Sequence, residues 1–190
     1  MNHIAIFASG TGSNAKKIIE HFQSNPSIKV SLLVSNKATA PVLEMAQSFG
    51  IDQHVIDRHS FYETEEILTV FEKYEIDFIV LAGFLWLIPT YLVESFTKRM
   101  VNIHPALLPK FGGKGMYGKY VHRAVKEAGE KESGITIHFV NENYDEGDII
   151  FQASCDISPE DSPEEIGKKV LQLEHRFFAT VIENILVSQN

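Results

Sequence analysis

Cysteine is nearly absent from this chain, which has a single one, Cys155, among 190 residues. One thiol cannot form an internal disulfide, so we expect a reducing compartment and predict a cytoplasmic protein. Long apolar runs are lacking too, because none approaches the about 20 residues that a transmembrane helix needs. The chain enters a strand pattern at His3 without the basic and small-residue features of a signal peptide. We therefore predict no membrane partner and no leader.

Basic residues are the third shortage. The 17 Lys and Arg residues are outnumbered by 25 Asp and Glu residues, which gives a formal net charge of −8. Neutralising a phosphate backbone requires a basic face, so we predict no nucleic-acid partner. A small anionic ligand needs only a few local donors and stays compatible with this charge. We therefore expect small-molecule partners, and both a monomer and a homodimer stay open.

What the sequence does contain is a regular alternation of strand and helix patterns. The continuous apolar run at residues 77–82 is typical of a strand covered on both faces, and other segments have helical spacing. We predict strands at residues 3–8, 29–34, 53–56, 77–82, 100–103, 135–140 and 149–154, and helices at residues 14–23, 42–49, 61–74, 120–128 and 162–187. This alternation predicts an α/β fold with a Rossmann-like, mostly parallel sheet and helices on both faces. The last strands are candidates for antiparallel pairing, and residues 1–190 are expected to form a single domain.

A glycine-rich loop at residues 8–15 joins the first strand to the first helix. Gly10 and Gly12 let the backbone approach a ligand closely, and the start of the helix offers N–H groups to an anion. The spacing Gly10-x-Gly12-x-x-Ala15 fits a dinucleotide fingerprint, but that site also needs an acid after the second strand. The sequence there reads Val34-Ser35-Asn36-Lys37. A plain tight turn is the other alternative, and we favour a site for a phosphate monoester.

An amide and an imidazole, Asn102 and His104, lie two residues apart at the end of the fifth predicted strand. Residues i and i+2 of a strand point to the same side, so both groups can reach a common point. Pro105 removes a backbone donor and favours an extended His104, so the chain leaves the strand where the pair is displayed. Such a pair can stabilise an oxyanion and transfer a proton.

An acidic turn at residues 141–148 follows the predicted strand at residues 135–140. Such a turn is often only a solvated loop. A carboxylate near His104 would raise its pKa, however, which a proton donor near neutral pH requires. We therefore take Asp145 as the candidate partner of His104. A zinc site made of His104, His138 and Asp145 is a less favoured alternative, and we predict no metal.

Taken in order, these segments resemble the formyltetrahydrofolate-dependent formyltransferase family, and within it the phosphoribosylglycinamide formyltransferase (glycinamide ribonucleotide transformylase) branch. The resemblance covers essentially the whole chain. It rests on Ser9-Gly10-Thr11-Gly12-Ser13-Asn14, Ser35-Asn36-Lys37, Leu81-Ala82-Gly83-Phe84, Asn102-Ile103-His104-Pro105-Ala106-Leu107-Leu108-Pro109, Thr136-Ile137-His138-Phe139-Val140 and Glu174-His175.

The resemblance implies transfer of the formyl group of 10-formyltetrahydrofolate, as co-substrate, to the amino group of 5'-phosphoribosylglycinamide (GAR) in purine biosynthesis. The N-terminal part would bind the phosphate and the C-terminal part the folate. The implied catalytic residues are Asn102, His104 and Asp145, with Asn102 and a protonated His104 donating to the oxyanion. The implied GAR-binding residues are Gly12, Ser13, Asn14 and, at the ribose hydroxyls, Glu174. The implied folate-binding residues are Leu85, Trp86, Leu87, Ile88, Asn102, Asn141, Glu142, Asn143, Tyr144 and Asp145.

Some positions depart from the family pattern. Trp86 stands where the family often has a basic residue, Asp148 follows Gly147 where proline is common, and residues 114–118 read as extra loop. The family's upstream folate-contacting arginine has no clear counterpart near Arg58.

Other functions stay open at this point. A deformylase usually carries an extra N-terminal domain, which we do not expect before Ile4. A sugar-nucleotide N-formyltransferase would not need the Gly-Ser-Asn loop. A non-catalytic nucleotide- or NAD-binding module is the alternative from another class, and the missing acid after the second strand is evidence against it.

Overall fold

A computed structural model describes residues 1–188, which contain a seven-stranded sheet in the order β3-β2-β1-β4-β5-β6-β7. The strands are β1 (Asn2–Phe7), β2 (Ile28–Ser35), β3 (Asp52–Val55), β4 (Phe78–Leu81), β5 (Met100–His104), β6 (Glu132–Phe139) and β7 (Ile149–Asp156). The helices are α1 (Ser13–Phe22), α2 (Pro41–Ser48), α3 (Arg58–Tyr62), α4 (Glu66–Lys73), α5 (Thr90–Ser95), α6 (Lys119–Glu127) and α7 (Pro163–Ser188). Residues 189 and 190, the end of the predicted single domain, lie outside the described part.

Helices cover both faces of the sheet, as predicted, and each face has its own apolar cluster. Alternate residues of the fully buried strand β4 enter different clusters, Phe78 and Val80 one and Ile79 and Leu81 the other. The first cluster includes residues of α1, α2, α6 and α7, and the second includes residues of α3, α4 and α5. Burial on both faces explains why the central strands are continuously apolar in sequence.

The sheet is parallel from β3 to β5 and antiparallel at its other end. β1 pairs in parallel with β2 and β4, and β4 pairs in parallel with β5. β6 is antiparallel to both β5 and β7, which confirms the predicted change of direction. This pairing sets Asn102 opposite His138 and His104 opposite Thr136. Two strands therefore contribute side chains to the same edge of the sheet.

The helix predicted at residues 61–74 is wrong in its continuity, because the chain forms α3 and α4 there. Asp57 caps α3 through a capping box with Ser60, so the helix begins at Arg58, earlier in the chain than predicted. The Thr64 hydroxyl donates to the Ser60 carbonyl at 2.8 Å and accepts the Glu66 N–H at 3.4 Å. This side chain replaces backbone hydrogen bonds and separates the two helices. The short helix α5 was not predicted, and its six residues follow Pro89.

None of the helices within residues 1–188 combines the length and the apolar character that a membrane-spanning helix requires.

Candidate active site

A cavity of about 810 Å³ opens at the carboxyl ends of β1, β4 and β5. This is the edge at which open α/β sheets bind their ligands. The volume lies within the range of roughly 300–1,000 Å³ that is usual for small-molecule sites. Its wall combines a glycine-rich loop, a polar group of side chains and an apolar segment.

Asn102, His104 and Asp145 meet on the wall of this cavity. The amide Nδ2 of Asn102 donates to Asp145 Oδ1 at 3.3 Å, and His104 Nδ1 lies 3.4 Å from Asp145 Oδ2. β5 supplies the first two side chains from the same side of the strand, as their spacing predicts. Asp145 reaches them from the loop between β6 and β7, more than 40 residues later in the chain.

The backbone of the loop after β5 contacts both partners of the His104–Asp145 pair. His104 Nε2 lies 2.8 Å from the Phe111 carbonyl oxygen, and since a carbonyl can only accept, Nε2 carries a proton. Asp145 Oδ2 accepts the Gly113 N–H at 2.9 Å. Phe111 and Asp145 themselves have positive φ values of 57° and 58°. The loop thereby holds a buried imidazole against a carboxylate.

Burial dominates the electrostatics of His104. Loss of solvent lowers the pKa of His104 below its ordinary value, and the Asp145 charge and the Phe111 carbonyl only partly oppose this shift. The prediction that Asp145 raises this pKa is right for that one interaction and wrong for the net direction. Burial alone would raise the pKa of Asp145, but opposing interactions, among them those with the nearby His104 and the Gly113 N–H, lower that pKa overall. Asp145 is thus ionised near neutral pH, beside an imidazole whose pKa lies below its ordinary value.

The glycine-rich loop forms the second part of the cavity wall. Gly12 has φ 76° and stands at the N-cap of α1, where no side chain of the described residues makes a capping hydrogen bond. The first N–H groups of this ten-residue helix therefore have no side-chain partner, and Gly10 and Asn14, on either side of the helix start, line the cavity. Lys37, after β2, lines the same end. Unsatisfied N–H groups and a helix dipole favour an anion there.

Asn14 and Glu174 connect this loop to α7. Asn14 Nδ2 donates to Glu174 Oε2 at 2.6 Å, while the buried Asn14 Oδ1 makes no hydrogen bond within the described chain. Glu174 is only 9 % exposed, and burial raises the pKa of its carboxyl group. A buried carboxyl group beside an unsatisfied amide oxygen offers polar partners to a ligand hydroxyl.

Replacing Gly12 by alanine is expected to lower the free energy of unfolding by about 1–3 kcal/mol. The left-handed backbone disfavours a side chain, and the new Cβ would lie 2.2 Å from Val42 Cγ2. Gly10→Ala is the matched control, since no described atom lies within 4 Å of its Cβ position. Urea unfolding, followed by the fluorescence of the single Trp86, measures both. Equal stability of the two variants would contradict the assigned backbone strain.

The apolar part of the wall is the segment from Leu85 to Ile88, after β4. Trp86 packs against Phe61, Tyr62 and Phe84, with ring centroids 5.9–6.2 Å apart. The Arg58 guanidinium carbon lies 4.9 Å from the Trp86 ring centroid. An arginine from α3 therefore stands beside the residue that replaces a basic side chain of the family pattern.

The family model described as "Formyl transferase" matches residues 2–182 of the chain. The chain belongs to this formyl transferase family.

Several relatives of this chain share one name. The chain is 47% identical over 186 residues to the chloroplastic phosphoribosylglycinamide formyltransferase of Arabidopsis thaliana, and the match covers 94% of this chain and 63% of that protein. It is 34% identical over 195 residues to the phosphoribosylglycinamide formyltransferase of Bacillus subtilis, covering 100% of this chain and 97% of that protein. The chain spans about three-fifths of the plant relatives, at 63% for Arabidopsis and 59% for Vigna unguiculata.

Solved structures of proteins with this name are similar to the chain as well. The crystal structure of phosphoribosylglycinamide formyltransferase from Bacillus halodurans matches with a TM-score of 0.87 and 33% identity, covering 100% of this chain and 97% of that one. The enzyme of the same name from Anaplasma phagocytophilum matches with a TM-score of 0.86 and 32% identity, covering 95% and 84%. The sheet order and its antiparallel end are thus those of the GAR transformylase fold.

The cavity brings most of the predicted site residues of this family member together. Those that line it are Asn14, Leu85, Trp86, Leu87, Ile88, Asn102, His104, Asn141, Asn143, Tyr144, Asp145 and Glu174. Ser13 and Glu142 are each adjacent in the chain to a lining residue, and Gly12 lies two residues from Gly10 and from Asn14, but none of these three is part of the wall. Within residues 1–188, no group of three or more His, Cys, Asp or Glu residues is arranged to hold a metal ion.

Some wall residues were not predicted to act. His138 and His122 line the cavity, although neither was among the predicted catalytic or binding residues. The residues from Gly113 to Lys119 also line it, so the extra loop forms part of the wall. The strand pairing that sets His138 opposite Asn102 is a long-range contact, which local patterns do not reveal. For the loop, its run of glycine and lysine residues was the available signal.

Proposed function

We propose that this protein transfers the formyl group of 10-formyltetrahydrofolate to the amino group of GAR, as its relatives' shared name indicates. The observation that carries the proposal is the meeting of Asn102, His104 and Asp145 in one cavity between a glycine-rich loop and an apolar wall. Relatives that are 34% and 47% identical to the chain support the choice of substrates.

The two ends of the cavity suit the two substrates. The start of α1, at Ser13 and Asn14, would hold the phosphate, with the Lys37 side chain at the same end. Glu174 would accept hydrogen bonds from the ribose hydroxyls. The folate would lie against the apolar segment from Leu85 to Ile88, with the loop at residues 141–145 over its ring. The reacting amine and formyl carbon would then meet near the polar group between the two ends.

The polar group supplies the chemistry of transfer. The bound folate supplies an activated formyl group, and the GAR amine attacks its carbon. A donated N–H of Asn102 stabilises the negative charge that develops on the formyl oxygen. The proton lost by the amine passes to the His104–Asp145 pair, in which His104 Nδ1 faces the ionised carboxylate. The pair then returns a proton to the departing folate nitrogen. No step requires a metal ion.

A spectrophotometric assay with 10-formyl-5,8-dideazafolate, run with and without GAR, tests the proposal. Turnover that depends on GAR is the expected result. Deformylation that ignores GAR would replace the proposal by a hydrolase, and turnover only with an amino-sugar nucleotide would replace it by a sugar-nucleotide N-formyltransferase. A cytoplasmic location and a monomeric or homodimeric state stay predictions on which the proposal does not depend.

Replacing Glu174 by alanine is expected to raise KM for GAR by about 10- to 100-fold, with a smaller change in kcat. The physical reason is the loss of about 1.5–3 kcal/mol for a hydrogen bond to a charged group. Glu183→Ala is the matched control on the same helix, since Glu183 pairs with the partly exposed His21 and does not line the cavity. Steady-state kinetics with varied GAR measures both. A KM for GAR that is unchanged in Glu174→Ala would remove Glu174 from the ribose site.

A further inference from the structure

We propose that His138 is a positioning residue that fixes the orientation of the Asn102 amide, an inference that rests on the proposed function. His138 lines the cavity wall but is buried to 2 % exposure. Both of its ring nitrogens are engaged, one by the Phe139 carbonyl and the other by Asn102, so it acts through Asn102 rather than on the substrates.

The backbone sets the tautomer of His138. Its Nδ1 lies 2.8 Å from the Phe139 carbonyl oxygen, which can only accept, so Nδ1 carries the proton. In the neutral ring Nε2 is then an acceptor. It lies 3.1 Å from Asn102 Nδ2, so the amide nitrogen of Asn102 donates to it.

Two acceptors therefore flank the Asn102 nitrogen on the same side. Asp145 Oδ1 is 3.3 Å from Asn102 Nδ2 and 3.7 Å from His138 Nε2, so the three atoms form a compact triangle. The two hydrogens of an amide nitrogen point in directions about 120° apart because the group is planar. One hydrogen of the Asn102 amide, directed between His138 Nε2 and Asp145 Oδ1, serves both acceptors. The second hydrogen can then point into the cavity.

This arrangement also excludes the flipped amide. With Oδ1 in place of Nδ2, the Asn102 oxygen would face the lone pair of His138 Nε2 and the Asp145 carboxylate. Acceptors that face each other in a buried site lose their hydrogen bonds without replacement by water. The flipped amide would also present an oxygen lone pair to the developing oxyanion. His138 thus helps to select the one orientation in which Asn102 can stabilise the transition state.

The contact between Asn102 and His138 is fixed by the register of the β5–β6 pairing. Asn102 on β5 and His138 on β6 are direct cross-strand partners. The register between β6 and β7 shifts at Ile137 and His138, next to the Phe139 carbonyl that sets the tautomer. A Cβ on Gly147 would lie 1.7 Å from that carbonyl oxygen and 3.4 Å from His138 Nδ1. Only a residue without a side chain fits at position 147 beside the carbonyl that sets the His138 tautomer.

His138→Leu keeps a similar volume but has no acceptor, and His138→Gln offers an amide oxygen near the Nε2 position. Loss of an oxyanion donor commonly lowers kcat by about 10²- to 10³-fold. Asp145 still holds the Asn102 nitrogen in His138→Leu, so we expect a smaller loss in kcat, about 10- to 100-fold, with KM for both substrates nearly unchanged. His138→Gln is expected to recover most of this loss. His54→Leu on β3 is the control, because His54 lies outside the cavity wall.

A double-mutant comparison separates positioning from a structural role. In the Asn102→Ala background, His138→Leu is expected to change kcat by less than about 3-fold, since the two residues act as one unit. A loss in that background as large as in the wild-type background would overturn the proposal. So would a wild-type kcat in His138→Leu, or an effect confined to KM.

A second readout does not depend on turnover. Hydrogen exchange of the Asn102 side-chain amide, whose NMR signals are identified by their absence in Asn102→Ala, is expected to be faster in His138→Leu than in the wild type. His138→Gln should restore slow exchange. Unchanged exchange in His138→Leu would overturn the positioning role. If exchange responds but the wild type shows no GAR-dependent turnover, the proposed function fails while the contact stands.

Discussion

Replacing His104 by alanine is expected to lower kcat by about 10³-fold, with KM for GAR and for the folate nearly unchanged. Proton transfer by a positioned side chain is typically worth 10²- to 10⁴-fold, and His104 is the imidazole paired with Asp145 in the cavity. Because His104 is buried at 3 % exposure and bound to the Phe111 carbonyl, it contributes little area to ligand binding. The change should therefore affect the transition state rather than the bound substrates.

His54→Ala on β3 is the control for the loss of a half-buried imidazole away from the cavity. Both variants are compared by steady-state kinetics with the formyl-folate analogue, and by thermal unfolding to confirm that each is folded. A folded His104→Ala enzyme with a kcat near the wild-type value would show that another group transfers the proton. His122 would then be the next candidate, since it lines the same cavity.

Local sequence patterns were enough to predict the sheet and most of its helices. Seven strands were expected and seven are found within residues 1–188, including the antiparallel end. The helical spacing of apolar residues predicted one continuous helix at residues 61–74. It did not reveal the break between α3 and α4, where the Thr64 side chain replaces backbone hydrogen bonds. The six residues of α5 are too few to show a helical period.

The polar group of the site was predictable in part, and for identifiable reasons. Asn102 and His104 are neighbours on one strand, so their joint display follows from strand geometry. Asp145 could be proposed as a partner because it follows the next strand. The sign of the His104 pKa shift could not be predicted, because it depends on how completely the surrounding chain excludes water. The contact of Arg58 with Trp86 also depends on the approach of α3 to the segment after β4.

Replacing Asp145 by asparagine is expected to lower kcat by about 10³-fold, for two reasons that can be separated. The first is charge, because a neutral amide cannot stabilise a proton on His104. The second is hydrogen bonding, because Asp145 accepts from Asn102 Nδ2 and from the Gly113 N–H through different oxygens. Asparagine has only one acceptor oxygen, so one of these donors would face an NH₂ group. Asp148→Asn, an exposed change in the same loop, is the control.

The titration of His104 shows which reason dominates. Burial holds its pKa below the ordinary value of 6.5, and Asp145 opposes that shift, so removing the carboxylate should lower the pKa further. Protonation of His104, followed by the NMR signal of its ring Cε1 proton, should then occur at a more acidic pH in Asp145→Asn than in the wild type. An upward move of the midpoint would mean that the carboxylate does not stabilise the imidazolium. A downward move with normal kcat would show that the charge acts on His104 but not on catalysis, because the pair would then not carry the proton.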